Sequence, residues 1–551
     1  MMFVQSIIFL SILFLSIISL AGLGKMIIYR YKKSFLESVF FGFLTLSFLI
    51  TFTHFFFKIE INIILAIFII GLIISYLEYG YLLKKFDKKS LYYIFIVLIF
   101  VPIYLSQKYH EDFGFYHLPY LIALINEKII FGLANSNIAY VHNSIWLNIM
   151  SFYLVDNNYN FTTLPTFLLY CIFVIFLLKK NLEKNEIKIS NYFAIISLFY
   201  FLLKFTRISE FGNDLPAISF SILSLYFYLK FYETTDIIDK KYNFFSCFSF
   251  AVFSILIKFS CIPIFLIPSY LFFKNFDLLK KEIFKFNYFF IYFLGIVFFI
   301  QQFIYTGCFL FPSTITCLDV SWFNNEFIDV KKKLELTNKS YSVARNIFTP
   351  EEYLSNFTWF PYWLKRNYPE ILEHILTMIL PVMVILLFSK QSKKNQKVRY
   401  NHFEIYFFAI FVFVGFAFWL SFSPVYRFSI IYFISFIFLI TFSFYKNITI
   451  SKKLFIFLFL LALIFNFSKN ISRISNEKSI FFGIKKITNS FIEYPGGKND
   501  YILLLRPDNK NNEKRGWQGR LCWDIGFLCS YREINVMKNN NYLILNKSKI
   551  N

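Results

Sequence analysis

The dominant pattern along the chain is a succession of apolar runs of 15 to 25 residues, separated by polar stretches. A helix needs about 20 apolar residues to cross a bilayer, and somewhat fewer where it packs against protein. The pattern therefore predicts an all-α polytopic membrane protein. The predicted spans are 3–24, 35–57, 61–83, 91–105, 162–178, 191–205, 214–232, 244–257, 261–273, 286–305, 371–389, 403–422, 428–445 and 454–468.

One apolar stretch, 244–273, is long enough for a single span but is interrupted by Lys258. A straight helix would place this lysine at the bilayer centre, at a cost of about 3 kcal/mol. We therefore predict two short spans with Lys258 at the tip of the hairpin between them. This division gives fourteen crossings in total.

Charge sets the predicted orientation. Every second loop between the predicted spans, counted from the loop 25–34, lies on the same side of the membrane, and these loops together carry 27 Lys and Arg residues. The short loops on the other side carry 4. Cytoplasmic loops of membrane proteins are enriched in Lys and Arg, so both termini are predicted to face the periplasm. The net charge of +23 is explained by these loops without a nucleic-acid partner.

Composition narrows the class of protein further. Hydrophobic residues make up 57% of the 551 residues and charged residues 16%, where a soluble domain carries about 25%. A soluble enzyme, a disordered chain and a fibrous repeat are excluded. The abundance of Lys, Phe, Ile, Asn and Tyr is typical of A/T-rich codons, which indicates a low-GC bacterial genome. The predicted location is therefore the inner membrane of a bacterium. The first apolar run has no basic n-region and no small-residue cleavage site, so it is interpreted as a retained span.

Two regions are predicted from these spans. Residues 1–468 form the transmembrane domain, with large outer loops at 106–161 and 306–370. Residues 469–551 form a polar, Asn- and Lys-rich periplasmic tail with short strand-like runs such as Tyr501 to Leu505. A tail of this length can bury only a small core.

Seven cysteines divide into two groups. Cys171, Cys247 and Cys261 fall in or beside spans and are predicted to be small apolar fillers. The other four form two close pairs outside the spans, and an oxidising periplasm allows both pairs to close as disulfides. One four-cysteine metal site is the alternative, but its ligand spacing fits poorly. The predicted disulfides join Cys308 to Cys317 and Cys522 to Cys529.

Titratable residues lie just beyond the fourth span. Glu111, Asp112 and His117 follow the span 91–105, among the aromatic residues of the run DFGFYHLPY. Apolar residues then recur at helical spacing from Leu118 to Leu133, which predicts an amphipathic helix at the membrane interface. A second such helix is predicted from Ile145 to Val155. The acidic pair is interpreted as functional, and a solvated loop is the alternative.

Three of the four short outer loops each carry one Lys or Arg side chain that could bind an anion. Arg207, Lys258 and Arg427 lie at similar predicted depth, and Glu210 and Asp214 share the loop of Arg207. Each cation alone could simply reach the interface with its charged end. Together they predict a pocket for an anionic ligand, at the depth where a lipid-linked phosphate would approach.

The first outer loop resembles that of the GT-C superfamily of polytopic glycosyltransferases. The matching residues are Asp112, Tyr116, His117, Leu118 and Pro119. The resemblance implies a GT-C-like bundle with juxtamembrane helices and a polyprenyl-phosphate or polyprenyl-diphosphate sugar donor. It also implies an active site that faces away from the cytoplasm, with the loop acid as general base.

A second resemblance runs over most of the chain. The segments ISEFGNDLPA, TGCFLFPSTITC, SPVYRF and CWDIGFLC are similar to those of a poorly characterised bacterial family of cell-surface-polysaccharide membrane proteins. Together the two resemblances imply transfer of a sugar to a glycan or lipid acceptor.

Roles for individual residues follow from this chemistry. Asp112 is the predicted base, with Glu111 as its substitute. Arg427 is the first candidate for the donor phosphate, followed by Lys258 and Arg207. The remaining candidates have open roles. His117 could donate to phosphate or bind a metal, and Tyr116 lies beside it. Glu210 and Asp214 could orient the acceptor or, with Asp112, bind Mg²⁺ or Mn²⁺.

Other classes of membrane protein remain open from the sequence. A polysaccharide polymerase or ligase would also use outer acids and arginines, although the juxtamembrane helix favours the transferase. A transporter or flippase would place polar residues near the bilayer midplane, often within inverted repeats. The charged residues here cluster at the outer boundary instead. A non-catalytic assembly protein is the fourth possibility.

Overall fold

A computed structural model shows how these segments pack. It describes residues 2–31, 33–84, 88–105, 112–154, 161–182, 188–205, 208, 212–311, 313–388, 390–391, 402–445, 448–449, 451–476, 502–504, 522, 528–530 and 534–547.

Nearly all of the described chain is helical, as an all-α membrane protein requires. The α-helices are α1 Met2–Ile28, α2 Phe35–His54, α3 Ile61–Lys84, α4 Lys88–Leu105, α5 Leu118–Asn126, α6 Ile145–Ser151, α7 Leu164–Leu182, α8 Ile189–Lys204, α9 Asp214–Glu233, α10 Ile237–Ile257, α11 Leu266–Lys274, α12 Phe276–Leu279, α13 Phe286–Thr306, α14 Glu326–Asn338, α15 Pro350–Leu354, α16 Trp359–Phe388, α17 His402–Phe422, α18 Ile430–Tyr445 and α19 Lys452–Asn476.

The predicted spans coincide with helices in every case. Within the described ranges, nine helices are long and apolar enough to cross a membrane. Four shorter apolar helices match the predicted spans at 91–105, 191–205, 261–273 and 428–445. The remaining predicted span, 244–257, is the second half of α10, whose first half carries Asp239, Lys240 and Lys241. The protein is therefore an all-α membrane protein.

Three boundaries differ from prediction. Helix α16 begins at Trp359 rather than 371, because Trp363 Nε1 donates a 2.6 Å hydrogen bond to Pro424 O and holds the first turns in place. Helix α19 continues beyond 468 to Asn476. Helix α5 ends at Asn126, since Glu127 is extended and both Glu127 and Ile129 bond to His54, the last residue of α2.

Helices α1, α2 and α3 pack unusually closely. A Cβ atom placed on Gly24 would lie 1.8 Å from Ser38 O, and one on Gly22 would lie 1.9 Å from Gly71 O. Small residues let helix backbones approach within a membrane, where dispersion contacts rather than the hydrophobic effect drive association. These contacts make α1 to α3 one rigid unit.

A buried polar network fixes the first outer loop. Tyr120 on α5 donates a 2.8 Å hydrogen bond to Asn148 Oδ1 on α6, and Asn148 Nδ2 donates to Thr51 on α2 and to Gln301 on α13. Asn143 Nδ2 also donates to Gln301, at 2.9 Å. Helices α5 and α6 are therefore enclosed by protein, and their position at the membrane interface stays a prediction. Buried polar side chains need hydrogen-bond partners, and those on the short helices α5 and α6 find them on the longer helices α2 and α13.

Short strands occupy the chain ends and loops. They are β1 Lys390–Gln391, β2 Ile448–Thr449, β3 Ile502–Leu504, β4 Leu528–Ser530, β5 Ile534–Asn539 and β6 Tyr542–Lys547, and they pair as β1–β2 antiparallel, β3–β4 parallel and β5–β6 antiparallel.

The β5–β6 hairpin docks on the first outer loop. The N–H of Phe131 donates to Leu543 O, and the carbonyl oxygen of Phe131 accepts from the N–H of Leu545, each at 2.9 Å. Gly132 adopts a φ of 69°, and a Cβ atom there would lie 2.3 Å from Leu545 O. Tyr542 also donates to Phe55 O at 3.1 Å. The hairpin thus joins loops that are far apart in the sequence.

Both predicted disulfides are confirmed. Cys308 is bonded to Cys317 and Cys522 to Cys529, while Cys171, Cys247 and Cys261 are free and buried.

Candidate functional site

The candidate site begins with a wide turn in the first outer loop. Asp112 lies in helical conformation, Phe113–His117 form one turn of π-helix, and α5 continues from Leu118. Asn137 Nδ2 donates a 2.8 Å hydrogen bond to Phe115 O within this turn. Single π-turns inside helices occur frequently at functional sites, because they rotate side chains out of the regular spacing.

The aromatic and imidazole rings of the turn stack on each other. The ring centroids of Tyr116 and His117 lie 4.1 Å apart, and His117 is buried. His117 is also within electrostatic range of the Asp214 carboxylate. The turn therefore presents Asp112, Tyr116 and His117 from one short segment.

Three charged side chains meet at the same end of the bundle, and we call them the Asp214 cluster: Asp214, Lys258 and Arg427. Asp214 is the first residue of α9, where the helix dipole favours a negative charge. Lys258 Nζ donates to one carboxylate oxygen of Asp214, and Arg427 Nε lies 3.4 Å from the other. Arg427 is half-exposed, so the cluster is open on one side.

The break after α10 places Lys258 in this cluster. Helix α10 ends at Ile257, Lys258 is extended with a φ of −155°, and a 3-10 helix covers Phe259–Phe265. The predicted hairpin tip is thus observed. Lys258 Nζ also lies 3.5 Å from the centroid of the Phe428 ring, a cation–π contact. Burial lowers the pKa of Lys258, and the neighbouring Asp214 partly opposes this change.

Tyr116 connects the turn to the cluster. Burial raises the pKa of its hydroxyl well above the usual range, and the charges of Asp112 and Asp214 raise it further, while Arg427 opposes them. Asp112, Asp214 and Arg427 therefore all lie within electrostatic range of the Tyr116 hydroxyl. The Tyr116 hydroxyl stays protonated at neutral pH, so it can donate a hydrogen bond to an anion.

The disulfide loop 308–317 packs against His142, which lies within electrostatic range of Lys258 in the cluster. Phe311 within this loop is buried, and its ring centroid lies 5.1 Å from that of His142. Burial and the charge of Lys258 together lower the pKa of His142 to about 4. His142 is consequently neutral at physiological pH and adds no third cation.

Sequence reasoning missed a group of residues on the other side of the cluster. The Tyr200 hydroxyl lies 2.9 Å from His374 Nδ1, and the His374 ring centroid is 4.8 Å from that of Tyr426. Lys204 and Glu373 form an ion pair of 2.5 Å beside them. Burial raises the pKa of Tyr426, and Asp214 is among the charges that act on it. The sequence could have indicated these residues, because Glu373 and His374 are titratable and lie inside a predicted span, where such residues are often functional.

Three predicted site residues, Glu111, Arg207 and Glu210, lie outside the described residues. Among the residues that are described, no group of three or more His, Cys, Asp or Glu side chains could hold a metal ion. Both oxygens of Asp214 contact cations, which disfavours it as a metal ligand. A divalent cation stays a prediction that depends on Glu210.

Fold and site together define a polytopic α-helical membrane protein with an ion-paired, partly open polar site at one end of its bundle. The chain belongs to the family described as domain of unknown function DUF8201, whose model matches residues 2–434. No curated protein and no solved structure matches the chain. The family match includes Asp112 and the whole Asp214 cluster, and it ends before the β5–β6 hairpin.

Proposed function

We propose that this protein is a membrane glycosyltransferase of the GT-C type, which uses a polyprenyl-phosphate or polyprenyl-diphosphate sugar in surface polysaccharide or glycolipid synthesis. One observation carries the proposal: Tyr116, in the π-turn that follows Asp112, lies within electrostatic range of Asp112, Arg427 and Asp214, and Asp214 also pairs with Lys258. A carboxylate near paired cations matches the needs of glycosyl transfer, since the reaction removes a proton and releases an anion.

The proposed reaction assigns a role to each group. The acceptor hydroxyl loses its proton to the Asp112 carboxylate as its oxygen bonds to the anomeric carbon of the donor sugar. The bond from that carbon to the phosphate oxygen breaks, and the lipid phosphate leaves with the electron pair. Lys258 and Arg427 stabilise its growing negative charge, and the Tyr116 hydroxyl donates a hydrogen bond to it.

Asp214 holds the two cations in place before the donor binds. Its carboxylate occupies the side of Lys258 and Arg427 that a phosphate oxygen would also favour. The half-exposed side of Arg427 leaves an approach for the lipid phosphate. Glu373, His374 and Tyr426, on the far side of Asp214, supply polar groups for the hydroxyls of the acceptor.

The proposal includes fourteen membrane crossings with both termini, the loops 106–161 and 306–370, and the tail on the periplasmic side of a bacterial inner membrane. Contacts support the shared side, because the hairpin residues Tyr542 and Leu545 bond to Phe55 and Phe131. Alkaline phosphatase fusions after residues 135, 340 and 520 should be active, and fusions after 186 and 395 inactive. An active fusion at 395 with an inactive one at 340 would reject this topology.

The transfer activity is tested with purified protein in lipid nanodiscs and synthetic polyprenyl-linked sugars. Asp112→Asn preserves the side-chain volume but removes the proton acceptor, so turnover should fall at least about a hundredfold. Glu127→Gln is the matched control, because it removes a carboxylate from the same loop outside the site. Loss of activity in Glu111→Gln with normal activity in Asp112→Asn would transfer the base role to Glu111. If both variants keep full activity, the mechanism is wrong.

A further inference from the structure

A second ion-paired cluster lies at the opposite end of the bundle, around Glu37. This residue is in the first turn of α2, and its side chain is 4% exposed. Its Oε1 atom lies 3.1 Å from Lys180 Nζ on α7 and 3.9 Å from Lys230 Nζ on α9. Its Oε2 atom accepts a 3.3 Å hydrogen bond from the Tyr242 hydroxyl on α10. Four helices therefore converge on one carboxylate.

A third lysine, Lys33, lies beside this group. It forms an ion pair with Asp239, and its ammonium nitrogen is 4.4 Å from the ring centroid of Tyr242. We call the five charged residues the Glu37 cluster: Glu37, Lys33, Lys180, Lys230 and Asp239. The nearby Glu233 acts electrostatically on Lys230 from outside this group, and its carboxylate accepts from the amide and hydroxyl of Ser190 at the start of α8.

The cluster has more positive than negative charge. Three ammonium groups face two carboxylates, and Lys180 and Lys230 share the single charge of Glu37. The lysine side chains are 18 to 28% exposed, whereas that of Glu37 is 4% exposed. Each ammonium carries three N–H donors, which is more than one carboxylate oxygen can accept. Such a group can bind an anion without losing its internal pair.

The surroundings favour an anion at a membrane surface. Ile237 and Ile238, which precede Asp239 on α10, are 57% and 65% exposed. Exposed apolar residues beside lysines are typical of surfaces that contact lipid headgroups. Basic pockets between transmembrane helices bind the phosphates of anionic lipids.

We propose that the Glu37 cluster binds a phosphate group, with Lys33, Lys180 and Lys230 as its ligands. The phosphate belongs to an anionic phospholipid headgroup or to free inorganic phosphate, which offer the same oxygen atoms to the lysines. Glu37 keeps the three ammonium groups close together before the anion arrives. This proposal does not depend on glycosyl transfer.

The test compares two sources of phosphate on the full-length protein. Nanodiscs of phosphatidylcholine alone are compared with nanodiscs that contain phosphatidylglycerol, and inorganic phosphate is added to the former in a separate series. Native mass spectrometry measures retained phosphatidylglycerol, and thermal unfolding measures stabilisation. Saturable stabilisation by phosphatidylglycerol alone identifies a lipid site, and stabilisation by inorganic phosphate identifies a free-phosphate site. No response to either overturns the proposal.

Variants locate the effect. Lys230→Gln and Lys180→Gln should each weaken phosphate binding by about fivefold, the share of one lysine near a lipid surface. Lys274→Gln is the matched control, because Lys274 forms a 3.0 Å pair with Glu404 elsewhere at this end. An equal loss in the control would show that binding is a general effect of basic charge and would overturn the site.

Glu37→Gln distinguishes an anion site from a purely structural ion pair. Removal of the carboxylate leaves the lysines without their internal partner, so the variant should depend more strongly on phosphatidylglycerol or phosphate than the parent does. A variant that is equally unstable with and without the anion would contradict the proposal. Where this variant does not fold, the lysine variants above still decide the question.

Discussion

The Asp214 cluster and the Glu37 cluster use the same components at opposite ends of one bundle. Each places a carboxylate in the first turn of a helix and two cations against its oxygens. They differ in their exposure, because the Glu37 side chain is 4% exposed whereas the Asp214 side chain is 21% exposed. They also differ in neighbours, since the Asp214 cluster adjoins the π-turn that follows Asp112. Charge alone therefore does not distinguish the two clusters; the exposure of the carboxylate and the adjoining π-turn do.

The largest expected effect comes from Lys258→Met. This change removes a cation that would stabilise the leaving phosphate, and loss of one such group costs about a hundredfold to a thousandfold in turnover. Transfer from a polyprenyl-linked sugar measures it, with size-exclusion chromatography as the folding check. Lys274→Met, which removes a lysine remote from the site, is the control. Equal activity of the two variants would mean that the Asp214 cluster is structural like its counterpart.

The next largest effect is a loss of folding stability, and it is expected for a change in the Glu37 cluster. Glu37→Gln leaves Lys180 and Lys230 without their partner, and because these lysines are 19% and 28% exposed the cost should stay below about 3–5 kcal/mol, the cost of breaking a fully buried ion pair. Asp214→Asn should cost less, because water can solvate the half-exposed Arg427. Denaturant unfolding in the same phosphatidylcholine nanodiscs measures both variants. If Asp214→Asn lost more stability than Glu37→Gln, the Asp214 cluster would be the more important of the two for folding.

A smaller effect is expected from the disulfide loop, whose Phe311 packs against His142. Replacement of Cys308 and Cys317 by serine should reduce stability by about 2 kcal/mol. It should also reduce transfer, since Phe311 is no longer held against His142. The parent protein treated with reductant should behave in the same way. Unchanged transfer would show that the loop does not shape the site.

The smallest effect is a shift in pH dependence. Burial lowers the pKa of Lys258, so as pH rises this lysine loses its charge earlier than an ordinary lysine would. Phosphate-donor binding should weaken over that range, and Lys258→Arg should remove the dependence because arginine stays charged. His142, with a pKa of about 4, should add no titration between pH 5 and 8. An identical pH profile for the parent and Lys258→Arg would exclude Lys258 as the titrating group.

Much of the fold could be predicted because it follows from local pattern. Apolar length located every helix of the bundle, and the position of Lys258 within an apolar run predicted the break after α10. Spacing and compartment predicted both disulfides. These features depend on residues close together in the sequence, so no tertiary information was needed.

The features that could not be predicted depend on distant partners. The π-turn is held by Asn137, which bonds to Phe115 22 residues away. Glu37 was hidden in a predicted span, because one charge barely changes the hydropathy of twenty residues, and its partner Lys180 is 143 residues away. The early start of α16 likewise depends on the bond from Trp363 to Pro424, 61 residues away. Only a folded structure reveals such pairs.

The docking of the β5–β6 hairpin also has a consequence for biosynthesis. Its contact between Asn135 and Leu545 spans 410 residues, so the first outer loop emerges from the ribosome long before its partner strand exists. Until then the backbone groups of Phe131 lack their strand partners, and the turn before α5 is anchored on one side alone. A nascent chain released early would therefore contain the helices of the bundle, but its first outer loop would lack the contacts made by the β5–β6 hairpin. The helices can thus insert into the membrane before the first outer loop reaches its final structure. Cleavage of the chain before Tyr542 should leave the inserted helices without these hairpin contacts.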